Sequence, residues 1–192
     1  MRQTSDDYMR AVTIGERRRR VDGPIHLAAY DRAWQGLYER EASRIRALLG
    51  ERALLLEHVG STSVPGLAAK PIIDIVVGVA DPADERGYVP PMEAGGYVLR
   101  IREPDWHQHR VFKGPDTDVN VHVFAAVSPE IVRMLAFRDR LRTHDDERRR
   151  YEDAKRDLAA RDWTYVQEYA DAKGEVVEGI IGRALASPDT AG

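Results

Sequence analysis

Residues 57–77 constrain the fold more than any other stretch. They read Glu57-His58-Val59-Gly60-Ser61-Thr62-Ser63-Val64-Pro65-Gly66-Leu67-Ala68-Ala69-Lys70-Pro71-Ile72-Ile73-Asp74-Ile75-Val76-Val77. The apolar residues 53–56 lead in, and a second apolar run follows the Lys70-Pro71 break. Short apolar runs rich in β-branched residues and bounded by Gly and Pro read as buried strands. The pattern predicts a strand near 53–59, a loop or short helix over 61–69 and a strand near 72–79. The second strand carries one acidic residue, Asp74. A carboxylate in an otherwise buried element needs partners, because an unpaired buried charge is costly. The stretch is therefore poor material for a simple core and good material for a site.

The flanking chain frames it. Residues 1–22 are polar and include Arg17-Arg18-Arg19-Arg20. No aromatic residue interleaves with these arginines, so they read as a solvated, loosely ordered extension rather than a nucleic-acid arm. Residues 25–30 fit a short edge strand. Asp31 fits an N-cap, and Ala33, Trp34, Leu37, Tyr38, Ala42, Ile45, Leu48 and Leu49 carry the apolar face of a helix over about 31–49, stopped at Gly50. After the central stretch, residues 90–96 suggest a short helix ended by glycine, and 97–101 a strand. Residues 109–113 and 119–124 pair as a hairpin across a Gly-Pro-Asp turn. Ser128-Pro129 starts a helix that breaks near His144. Two more helical segments follow, around Tyr151 to Ala159 and Tyr165 to Leu185, with a tail over 187–192. Strands in the middle with helices before and after argue for one α/β (α+β) domain over 23–186: a small mixed sheet flanked by helices, with a helical C-terminal part.

Composition narrows the function classes. With no cysteine, disulfides and thiolate metal sites are excluded. A net charge of −3 gives no general attraction to nucleic acid or acidic membranes. No apolar run reaches the roughly 18 residues of a membrane span, and the N-terminus lacks a signal-peptide core. A cytoplasmic protein without membrane or nucleic-acid partners is the expectation; the sequence does not fix an oligomeric state.

The chemistry of the central stretch follows from its residue types. Gly60 lets backbone N–H groups approach a ligand, and Ser61, Thr62 and Ser63 add hydroxyl donors, which suits phosphate. Asp74 could hold Mg²⁺ beside it, since Mg²⁺ takes one or two carboxylates plus phosphate oxygens. The stretch is not a GxxxxGK[ST] loop, and Lys70 is not placed like the lysine of that motif. A structural turn with a hydrogen-bonded aspartate accounts for the same residues. His26, His58, His107, His109 and His122 lie in or near the motifs; four imidazoles converging with Asp74 or Glu57 would suit Zn²⁺ or a general base. His122, alternating with Val121 and Val123, points away from the valine face and is a candidate cleft residue. Arg138 and Arg142 share a helix face, and Arg110 lies on the hairpin. All three are candidates for holding phosphate, or for salt bridges with nearby acids.

The central run resembles the signature of the GrpB (UPF0157) family, which also occurs fused to dephospho-CoA kinases. Tyr30-Asp31 with Trp34, His109-Arg110, residues 121–124, Phe137-Arg138-Asp139 with Leu141-Arg142, Tyr151 with Lys155 and Leu158-Ala159, and Tyr169 with Lys173 match in order, covering residues 25–186. Arg32 stands where the family pattern has proline. The resemblance implies a nucleotidyltransferase-like fold, in which Gly-Ser binds a nucleotide's phosphates and paired strand carboxylates hold two Mg²⁺. Gly60-Ser61 and Asp74 match two of those elements; Val76 stands where the second carboxylate of the pair would be, and no third is evident. The expected function is binding of ATP, another nucleotide or a phosphorylated small molecule, with metal-dependent nucleotidyl or phosphoryl transfer, or ATP-dependent activation of a small acid. In that reading Asp74, His122 and Ser61 are catalytic, and Gly60, Ser61, Thr62, Ser63, Lys70, Arg110, Arg138 and Arg142 hold phosphate. Asp74 binds the metal, with His58 and His122 as candidate further ligands. A catalytically degenerate binding or folding module and a histidine-based metal-dependent hydrolase are the alternatives.

Overall fold

A computed structural model describes residues 6–15 and 24–186. The chain forms helix α1 (Asp6–Val12) and helix α2 (Ala33–Leu49), then strands β1 (Leu55–Val59) and β2 (Ile73–Val79). Helix α3 (Val89–Ala94), strands β3 (Val98–Glu103), β4 (His109–Lys113) and β5 (Val119–Ala125) complete the middle. Helices α4 (Pro129–Thr143), α5 (Asp145–Ala159), α6 (Val166–Ala172) and α7 (Gly174–Ala186) form the C-terminal part. The sheet is five-stranded, in the order β1-β2-β5-β4-β3. Only the β2–β5 pairing is parallel. Among the described residues no helix is long and apolar enough to cross a membrane.

Local signals account for most boundaries. The Asp31 carboxylate accepts the Ala33 N–H at 2.8 Å, and Gly50 closes α2 with a positive φ of 55°. Ser128 caps α4 by accepting from Glu130 N–H. Residues 25–30 differ from the expected edge strand: only Ala28 bridges, to Ala69. The polar extension also differs. Met9 and Val12 of α1 are buried, and Ile14 N–H donates to the Arg100 carbonyl at 2.8 Å, so this segment docks on β3. Its two apolar residues, three apart, share a helix face. The arginine run at 17–20 and the tail at 187–192 lie outside the described residues.

Strand β2 is the axis of the core. Ile73, Ile75, Val77 and Val79 face α2 and pack with Trp34, Ala42, Ile45 and Leu49. Full burial of each such side chain contributes about 1.5–3 kcal/mol. Val76 faces the other way and packs with Val59, Phe124 and Ile131 of α4. Helix α4 covers that second face only in part, and the same face carries Asp74, Asn120 and His122, by strand alternation and the register Asp74↔Asn120, Val76↔His122. Below them Val64 and Leu67 pack with Phe137, Leu141, Tyr151, Ile180 and Ile181. This second core anchors the C-terminal helices to the loop that precedes β2.

Candidate functional site

The site is built where the turn after β1 meets the start of β2. Gly60 has φ 70° and ψ −173°, a conformation open essentially to glycine alone. A Cβ there would lie 2.5 Å from Asp74 Oδ2. The backbone of the turn thus rests directly against the carboxylate. Asp74 keeps 27% of its side-chain surface exposed, so the carboxylate can be reached from solvent beside the turn.

Strand β5 supplies its partners. Asn120 Nδ2 donates to Asp74 Oδ1 at 2.7 Å, and His122 Nε2 lies 3.7 Å from the same oxygen. Burial works to raise the Asp74 pKa, but its neighbours on β5, with Lys113, outweigh it and hold the carboxyl below its ordinary value. Asp74 is an anion at neutral pH.

Cations close the other side. Lys70 Nζ lies 5.3 Å and Lys173 Nζ 4.6 Å from the centre of the Tyr169 ring. Among the described residues neither ammonium has a hydrogen-bonded or ion-paired partner. Burial and mutual repulsion push Lys70 down to about 8, and burial pushes Lys173 down to about 8, while Asp74 pulls both back up. Lys155 is 2% exposed and donates to the Ala68 carbonyl. Glu152, three residues earlier on α5, accepts from Ala68 N–H at 3.2 Å. Both backbone groups of Ala68 are thereby held by α5, which fixes the loop carrying Lys70. Tyr151 lies against the Ser61 hydroxyl and is pushed up to about 12 by burial.

Several expected ligand residues are placed elsewhere. The Thr62 hydroxyl donates to the Ile72 carbonyl at 3.1 Å and that of Ser63 to the Gly60 carbonyl at 2.6 Å. Both are turned inward to hold the turn, and Ser61 keeps the hydroxyl beside Tyr151. Arg142 donates to the Ser63 carbonyl at 2.9 and 3.0 Å. Arg138 is engaged by Glu57, Asp139 and the His58 carbonyl. These two arginines brace the turn from behind. Arg110 pairs with Val123, so it lies on the face opposite Asp74, bound to Glu85 at 2.6 Å.

The histidines separate in the same way. His58 faces α2, stacks on Tyr38 at 4.6 Å and bonds Thr62 through Nε2 at 3.1 Å. Burial lowers it to about 4, and it does not join Asp74 as a metal ligand here. His107 sits 3.9 Å from Glu130 and His26 is exposed. His109 joins His122, ring nitrogen to ring nitrogen at 3.1 Å. The four imidazoles therefore do not converge, and among the described residues no group of three or more His, Asp or Glu is arranged to hold a metal. A single Mg²⁺ shared between Asp74 and ligand phosphates fits this donor set; a two-metal clamp does not, since Val76 is apolar and buried.

The sequence reasoning passed over Asn120, Tyr169 and Lys173 as site residues. Asn120 had a signal: it alternates with Val119 and Val121 and so shares the face of His122. For Tyr169 and Lys173 there was only their place in the family pattern.

Comparisons with known proteins agree with one another. The family model described as GrpB protein matches residues 24–183. A UPF0157 protein of Halalkalibacterium halodurans is 55% identical over 183 residues, covering 95% of this chain and 93% of its own. A UPF0157 protein of Streptomyces coelicolor is 45% identical over 87% of this chain and 90% of its own. The crystal structure of GrpB from Enterococcus faecalis superposes with a TM-score of 0.71 at 32% identity, covering 84% of this chain and 98% of that one.

Proposed function

The chain belongs to the GrpB family, and from that premise we propose that it binds a nucleotide or another phosphorylated small molecule in a nucleotidyltransferase-like cleft. The observation that carries this reading is the imbalance of charge. Lys70 and Lys173 sit partly buried with no anionic partner in contact, beside a glycine turn pressed against Asp74. An anion with several oxygens would relieve the desolvation of both ammoniums. Ser61 and Tyr151 add hydroxyls on the same side. With Mg²⁺ bound, the metal would neutralise phosphate charge beside Asp74. His122 faces the same point and would act as the proton acceptor for transfer of a phosphoryl or nucleotidyl group.

Titrating ATP into the protein, with and without Mg²⁺, tests the reading by thermal melting. Ligand at 100 times its Kd stabilises by about 2.7 kcal/mol, a readily visible shift. The shift is expected in wild type and lost in a folded Asp74→Ala variant. Failure of ATP, pyrophosphate and inorganic phosphate alike to move the wild-type melting temperature would sink the proposal. The single carboxylate favours one second reading, a module that binds without catalysis. ³¹P NMR of ATP and Mg²⁺ with the protein separates the two, since new phosphorus species favour the enzyme and an unchanged spectrum with binding favours the module.

A further inference from the structure

A chain of hydrogen bonds runs from the N-terminal helix to His122, the neighbour of Asp74. Tyr8 of α1 donates to Glu103 Oε1. Glu103 Oε2 meets His109 Nδ1 at 2.6 Å, His109 Nε2 meets His122 Nδ1 at 3.1 Å, and His122 Nε2 lies 3.7 Å from Asp74 Oδ1. Glu103 and His109 are 9% and 6% exposed. The His109 ring is clamped by Phe124, stacked at 4.4 Å, and by the edge of Trp106 at 5.2 Å. The two residues before it, His107 and Gln108, both have positive φ, at 51° and 53°. Non-glycine residues rarely adopt that conformation, and such strain gathers where a side chain must be aimed.

We propose that Glu103 and His109 are positioning residues that fix His122 in the Nδ1–H tautomer and aim its bare Nε2 into the cleft as the general base. The donor count leads there. A carboxylate can only accept, so His109 gives it the Nδ1 proton. The neutral His109 ring then has only a lone pair at Nε2, and His122 must supply the proton from Nδ1. What remains on His122 is the Nε2 lone pair, beside a carboxylate oxygen that is itself an acceptor. Two acceptors facing one point call for a proton donor between them, such as the hydroxyl of a substrate or a water. The O–H bond breaks, the proton joins Nε2, and the oxygen keeps the electron pair; as it forms a bond to phosphorus of the bound phosphorylated ligand, the bridging P–O bond breaks and the remaining phosphate group leaves with that electron pair. The imidazolium charge is then shared through Nδ1–H with His109 and Glu103. This rests on the cleft reading above, but its test needs no ligand.

The test is ¹⁵N NMR of the histidine side chains near pH 8, which separates protonated from bare ring nitrogens. His122 is expected as Nδ1–H in wild type. Glu103→Gln keeps the shape, but Tyr8 holds the amide oxygen and turns the amide NH₂ toward His109. The expected result is inversion of both rings, with His122 becoming Nε2–H. Tyr8→Phe leaves the carboxylate in place and is expected to leave both tautomers unchanged, which separates the relay from packing. A proton on Nε2 of His122 in wild type overturns the proposal, whether or not any variant folds. So does a tautomer that Glu103→Gln leaves unchanged.

Discussion

The two faces of the sheet differ in whether every charge they carry is matched. On the α2 face, Glu41 is completely buried, yet it accepts from Tyr97 at 2.5 Å and Thr117 at 2.9 Å and lies 3.7 Å from Arg44. Arg110 on that face is 4% exposed and is met by Glu85, which Arg102 also grips. Each of these charges is matched by a neighbour in the fold. On the other face Lys70 and Lys173 have no such match, and Asp74 stays open to solvent. A charge whose partners are all in the chain is structural. The unmatched charges of Lys70 and Lys173 are the ones that the proposed anion would match.

The comparison can be broken most severely on the closed face. Glu41→Ala is expected to cost about 2–4 kcal/mol, because it leaves the Tyr97 and Thr117 hydroxyls without their buried acceptor and opens a cavity. Urea unfolding reads that loss, and whatever folds should keep its ATP response. At the turn, Gly60→Ala is expected to cost about 1–3 kcal/mol from backbone strain. It should also abolish the ATP response by driving a methyl into Asp74. An unchanged response would show that the turn and the carboxylate do not act together.

The smallest effect has the opposite sign. Lys173→Met removes an unmatched charge and is expected to stabilise by about 1 kcal/mol near neutral pH while weakening ATP binding. The linkage has a definite sign. Lys70 and Lys173 titrate near 8 in the folded chain and near 10.5 when unfolded. Between those values the unfolded state holds more protons, so stability rises with pH from about 8 to 10.5. Below 8 the destabilisation is fully present. Melting temperatures across that window should climb in wild type and climb less in Lys173→Met; a flat wild-type profile would show that the two lysines are solvated like any others.

Much of the fold was legible in the residues. The helix over 33–49, the strands around the glycine turn, the hairpin and the Ser128 cap all carry local signals, because periodicity and capping act within a few residues. The site was legible only in part. Residues 61–63 offer three hydroxyls on paper, yet two are consumed by backbone carbonyls of the same loop. Arg110, Arg138 and Arg142 look alike as cations and differ only in what they face. The N-terminal segment read as polar because its contribution is the packing of Met9, Val12 and Ile14, one backbone bridge and one tyrosine hydroxyl, too few to form a pattern.

What the sequence determined by itself was a glycine-governed turn between two buried strands with a single aspartate, since backbone freedom and strand alternation are local properties. What the tertiary structure decided was the company that aspartate keeps. The parallel β2–β5 pairing brings Asn120 and His122 to it, and the last helices bring Tyr169 and Lys173. Register and long-range packing choose which face closes and which stays open, and whether a charge is matched has meaning only once its neighbours are in place.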